Sequence, residues 1–89
     1  MSDMNPVTAS TRVGIEFLTV WLEGDKQFAT EHIYRVLQDP DGPGADRAIV
    51  GLLHLSNLLV FELAKARGAE DLQEWARKYL SNLSAQLPE

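Results

Sequence analysis

The sequence contains no cysteine. Disulfide staples, thiolate catalysis and cysteine-based zinc sites are excluded on that ground, as is a stapled secreted mini-protein. A reducing cytoplasm is the expected setting. Basic residues are also scarce: eight Lys and Arg stand against thirteen Asp and Glu, a formal net charge of −5. A surface of that sign repels phosphate backbones, which argues against direct nucleic-acid binding. The glycine-dense stretch DPDGPG, residues 39–44, has no lysine, no strand before it and two acids, so it is no phosphate loop. The opening MSDMNPVTAS has an early acid and no basic segment ahead of an apolar run, and does not read as a signal peptide. Long apolar runs are missing too. The most apolar block, residues 48–64, is interrupted by His54, Ser56, Asn57 and Glu62 and falls short of the roughly 20 residues a membrane span needs. No membrane association is expected.

What is present is a chain of 89 residues, 45% hydrophobic and 24% charged, which places it among globular proteins. A protein of this size buries about two-thirds of its chain surface on folding, enough for one domain with a thin margin. Self-association is a common way to widen that margin.

Punctuation divides the chain into four helices at about 10–23, 26–38, 45–67 and 69–85, with no alternating pattern suggesting a strand. Ser10 is the expected N-cap of the first helix, and Gly24 suits the left-handed position after it. Asp25 then caps the second helix, so EGDK reads as a tight turn between neighbours. DPDGPG breaks the chain before the third helix. Gly68 ends that helix, and Glu70 and Asp71 fall in the first turn of the fourth. The predicted architecture is all-α: a small antiparallel bundle of four helices with helix three central, associating as a homodimer. Residues 1–9 are expected to be flexible and 10–87 to form a single helical domain.

The case for association lies in the width of two apolar faces. Helix four has a narrow stripe of Leu72, Trp75, Ala76, Tyr79, Leu80, Leu83 and Leu87, as expected of an outer helix lying on a core. In helix one, apolar residues cover well over half the circumference. In helix three they span roughly 240°. A helix in a four-helix monomer normally uses a third to a half of its circumference, so the excess points to a second chain. A central helix three wrapped by the other three is the alternative. Gly14, Phe17 and Trp21 on helix one, and Val50, Asn57 and Phe61 on helix three, are the candidate interface residues. Tyr34, off the main apolar face of helix two, is the aromatic most expected to be exposed and to meet a partner. Gly14 and Gly51 suit a close helix crossing, at about 1 kcal/mol each in helix propensity. Ser56 lies near the middle of the helix-three arc. Asn57 lies within that arc, where a buried amide needs a partner and can fix register between helices.

The remaining polar residues form no catalytic set. His54 shares a polar stripe with Arg47, Glu62 and Lys65 and reads as a solvated histidine. His32, between Phe28 and Val36 on the inner face of helix two, reads as a structural histidine with a hydrogen-bond partner. Neither has the Glu-x-x-His or His-x-x-x-His spacing that puts two metal ligands on one helix face. No metal, no cofactor and no catalytic residue is expected, and the chain is not expected to be an enzyme. Helices two and three make a poor helix-turn-helix, since a six-residue Pro/Gly loop is long for that motif. The expected function is that of a small interaction or regulatory module in the cytoplasm, a homodimer that also binds another protein. The alternatives are a helical dimer with a small-ligand or enzymatic pocket between helices one and three, and, further off, a nucleic-acid-binding regulator.

Overall fold

Two aspartates fix where two of the helices begin. Asp25 accepts the Phe28 N–H at 3.1 Å, and Asp71 accepts the Glu74 N–H at 3.0 Å. Each satisfies a first-turn donor that has no partner within its helix. Alanine at Asp71 is therefore expected to lower the unfolding free energy by about 1 kcal/mol, and asparagine to retain most of it, in urea denaturation. The computed structural model describes residues 6–88. Among them are four α-helices and no strand: α1 (Pro6–Leu22), α2 (Lys26–Gln38), α3 (Gly44–Ala66) and α4 (Leu72–Gln86). The all-α class agrees with the sequence reading, and α2 agrees with it residue for residue.

The other boundaries differ in instructive ways. α1 starts at Pro6, not near Ser10. Proline blocks a helix only from its N-terminal side; as the first helical residue its fixed φ is already suitable and its missing N–H is not needed. The segment expected to be flexible is thus helical from residue 6, and residues 1–5 lie outside the described residues. Ser10 is consequently no N-cap. It sits inside the helix and is 4% exposed. α4 starts at Leu72 because Asp71 caps it, so Glu70 and Asp71 precede the first turn and do not belong to it. The end of α3 follows its prediction. Gly68 takes a φ of +77°, its N–H reaches the Lys65 carbonyl, and the Ala69 N–H reaches the Ala64 carbonyl, both at 3.0 Å. That pair of bonds is the Schellman closure, which a left-handed glycine permits.

By packing, the chain falls into two compact units, Met1–Leu55 and Ser56–Glu89. α3 contributes to both, and it touches the other helices most. In the first unit, Ser10, Thr11, Gly14 and Phe17 of α1, Ala29 of α2, and Ala48, Gly51 and Leu55 of α3 are buried. Small residues dominate because α1 and α3 meet backbone to backbone. A Cβ at Gly14 would lie 2.9 Å from the carbonyl carbon and oxygen of Gly51, and one at Gly51 would overlap the Ser10 carbonyl oxygen. The glycines expected to serve a close crossing do so, against each other within one chain.

In the second unit the buried residues are two alanines, Ala64 and Ala76. Trp75 and Tyr79 stack along α4 with centroids 5.1 Å apart. α4 was expected to rest on a core along its whole stripe. Leu72 and Trp75 are half-buried, while Tyr79, Leu80, Leu83 and Leu87 are exposed. α3 has the expected length, shifted by one residue from 45–67, and it is longer than the apolar block 48–64 weighed as a membrane span. At 23 residues it extends about 34 Å, and it is the one helix among those described that is long and apolar enough to cross a membrane by length and composition.

Candidate functional site

The first unit carries an apolar groove of about 440 Å³. α1 contributes Phe17, Leu18 and Trp21, one helical turn apart along one face. α2 contributes Ile33 and Leu37, again one turn apart. α3 supplies Ala45, Ala48, Ile49 and Leu52. The floor is Phe17 and Ala48, both nearly inaccessible, and the lips are Trp21 and Ile49, 42% and 56% exposed. No polar side chain lines the groove, so it offers neither a general base nor an orienting hydrogen bond.

Two interactions set the shape of this site. The Lys26 ammonium donates to the Trp21 carbonyl at the end of α1 and lies 4.5 Å from the centroid of the Trp21 ring. It thus satisfies a last-turn carbonyl, complements the helix dipole and holds the indole by a cation–π contact. The second tie links α1 to α2: His32 Nε2 lies 2.8 Å from Glu16 Oε2, with Phe28 stacked on the imidazole at 6.4 Å. The Glu16 side chain is half exposed, so this pair contributes at most about 1 kcal/mol. His32 therefore has the partner that its inner-face position called for. That partner was not legible, because Glu16 falls on the polar stripe of α1.

The candidate interface residues divide. Gly14 and Phe17 are buried within the first unit and are taken up by its own packing. Trp21 stands at the lip of the groove. Val50 is 49% exposed and borders a second, shallower hollow with Pro6, Val7 and Arg47. Tyr34, at 64%, is the most exposed of the aromatic residues, as expected. Phe61 is half-buried. Asn57 is exposed within the single chain, so no residue of its own chain buries the amide. A helical projection records the polarity of neighbours on the same helix, and those neighbours, Leu53 and Leu58, are themselves uncovered. His54 is half-buried rather than fully solvated.

Sequence reasoning missed Ile33, Leu37, Ala45 and Ile49 as groove residues. The i, i+4 spacing of Ile33 and Leu37 was available as a signal. Which neighbour they face is a property of the packing. Among the described residues no three histidine or acidic side chains converge as metal ligands, and every buried side-chain polar atom is hydrogen-bonded. No protein-family model, no curated protein and no solved structure matches this chain.

Proposed function

We propose that this protein is a non-enzymatic interaction module that self-associates and binds another protein through the groove of its first unit. The observation that carries the reading is the amount of large apolar surface left in water. Ile49 at the lip of the groove, and Leu53, Phe28 and Tyr34 elsewhere in the first unit, are each more than half exposed. Soluble monomers seldom leave contiguous apolar patches beyond a few hundred Å², and larger ones mark sites of association. An amphipathic helix laid into a groove is the mode that suits three converging helices. In this reading the helices of the bundle run antiparallel, as their tight turns favour, and the assembly works in the cytoplasm.

A small-ligand pocket in the same place is the competing reading. The groove volume lies within the usual range for such sites, but ligand sites also carry a few placed polar groups, and this one has none. A membrane location for α3 is disfavoured by Gly51, whose backbone is occupied by α1, and by the Glu62–Lys65 ion pair at 3.2 Å on the same helix.

Affinity capture from the native host with the intact protein and Ile49→Glu separates these readings. A glutamate at this lip is expected to weaken partner binding at least tenfold while changing stability by under about 0.5 kcal/mol. A protein retained by both forms alike would remove the groove from the proposal. A small molecule carried by the wild type in native mass spectrometry would favour the ligand reading.

A further inference from the structure

Taken by itself, the second unit is a hairpin of the last part of α3 and all of α4, and its buried core is Ala64 and Ala76. Two alanines cover little apolar area, so the large apolar side chains of this unit are left mostly in water. Tyr79 and Leu83 are four residues apart and Leu80 lies beside them, so the three share one stripe of α4, and Leu87 follows as the extended C-cap of the helix. All four are exposed, between 37% and 62%. Leu58 and Leu59 of α3 add further apolar surface to the unit, at 46% and 51%.

We infer that this stripe is the self-association surface, and that its occupant is the α4 stripe of a second copy, two hairpins closing into a four-helix bundle about a twofold axis. The inference rests on the self-association proposed above and assigns it a place. Area and charge both support a second copy. Tyr79, Leu80, Leu83 and Leu87 leave roughly 100 Å² each in water, ~400 Å² per copy, the size of the apolar centre of an interface of ~800 Å² per partner whose rim the flanking aliphatic stems supply. The charges of the second unit nearly cancel, five acids against four bases, whereas the first unit has eight acids against four bases and repels its own copy. On α4 itself the charges are matched locally. Glu74 lies 3.6 Å from both Arg77 and Lys78, on the side of the helix away from the stripe. Closing two stripes together therefore strands no charge. An isologous contact of this kind also seals the surface, since each copy has one such stripe.

Light scattering coupled to size exclusion on the full chain tests this. The wild type is expected at roughly twice 9.9 kDa. Leu80→Glu/Leu83→Glu is expected to raise the dissociation constant at least 100-fold and to run as a monomer with its helical circular dichroism retained, while Ile49→Glu stays dimeric. Isotope-filtered NOEs on a half-labelled wild-type sample need no variant to fold, and are expected between the methyls of Leu80 and Leu83 of one copy and α4 of the other. A monomeric wild type overturns both the inference and the proposed self-association. A dimer that survives the double substitution, or whose intermolecular NOEs arise at Ile49, overturns the inference and leaves self-association standing.

Discussion

Gly51→Ala is expected to lower the unfolding free energy by about 2–4 kcal/mol, although alanine is the better helix former by about 1 kcal/mol. The reason is what the new methyl meets. It would overlap the Ser10 carbonyl oxygen, a backbone atom inside a helix that cannot swing aside as a side chain does. α1 and α3 must separate, and the contacts on either side of the crossing loosen with them. For a protein of this length the loss corresponds to a fall in melting temperature of 10 °C or more, by about 4–8 °C per kcal/mol. Gly14→Ala acts in the same direction with a smaller effect, because its methyl stops 2.9 Å from the Gly51 carbonyl. A Gly51→Ala protein as stable as the wild type in urea and by calorimetry would falsify the backbone-on-backbone crossing.

This crossing also shows how far the sequence could be read. A glycine inside a helix is a local anomaly, and Gly14 and Gly51 pointed to close approach for that reason. Caps and turns were legible for the same reason: Asp25 and Gly68 act through bonds to residues three positions away, and Gly24 through its own positive φ. Ser10 misled because a cap and a small packing residue look alike in sequence, and the choice between them depends on its own carbonyl meeting Gly51, 41 positions away. The exposure of Asn57 within one chain was not legible either, because an apolar arc records composition along a helix and not which part of that arc the same chain covers. The groove follows from the same limit. Phe17 and Trp21 were singled out one by one, but their convergence with Ile33 and Ile49 is a tertiary event.

Phe17→Ala is the second large effect. Phe17 is the largest side chain among the buried residues, 4% exposed, and it forms the floor of the groove. Truncating a buried phenylalanine costs about 3–5 kcal/mol through lost transfer energy and the cavity left behind. Here the new space opens into the groove, where water can enter, so the expected loss is near the lower end, about 3 kcal/mol. Phe17→Leu is expected to lose about 1 kcal/mol, and Tyr34→Ala, at an exposed site, less than about 0.5 kcal/mol. Urea denaturation of the three variants checks the order. A Phe17→Ala protein within 1 kcal/mol of the wild type would mean that the groove has no core beneath it.

The Lys26–Trp21 contact has a consequence for how the groove can change. The lysine bonds to the tryptophan's own carbonyl as well as lying against its ring, so the indole is held by the turn that joins α1 to α2. The crossing that holds α1 on α3 sits at Ser10, Gly14 and Gly51, all outside the groove lining. The joint between α1 and α3 and the lips of the groove are thereby carried by separate residues. Exchanges at Ile33 or Ile49 can retune what the groove accepts while the joint that shapes it stays as it is, the arrangement of a tool with a fixed handle and an interchangeable bit.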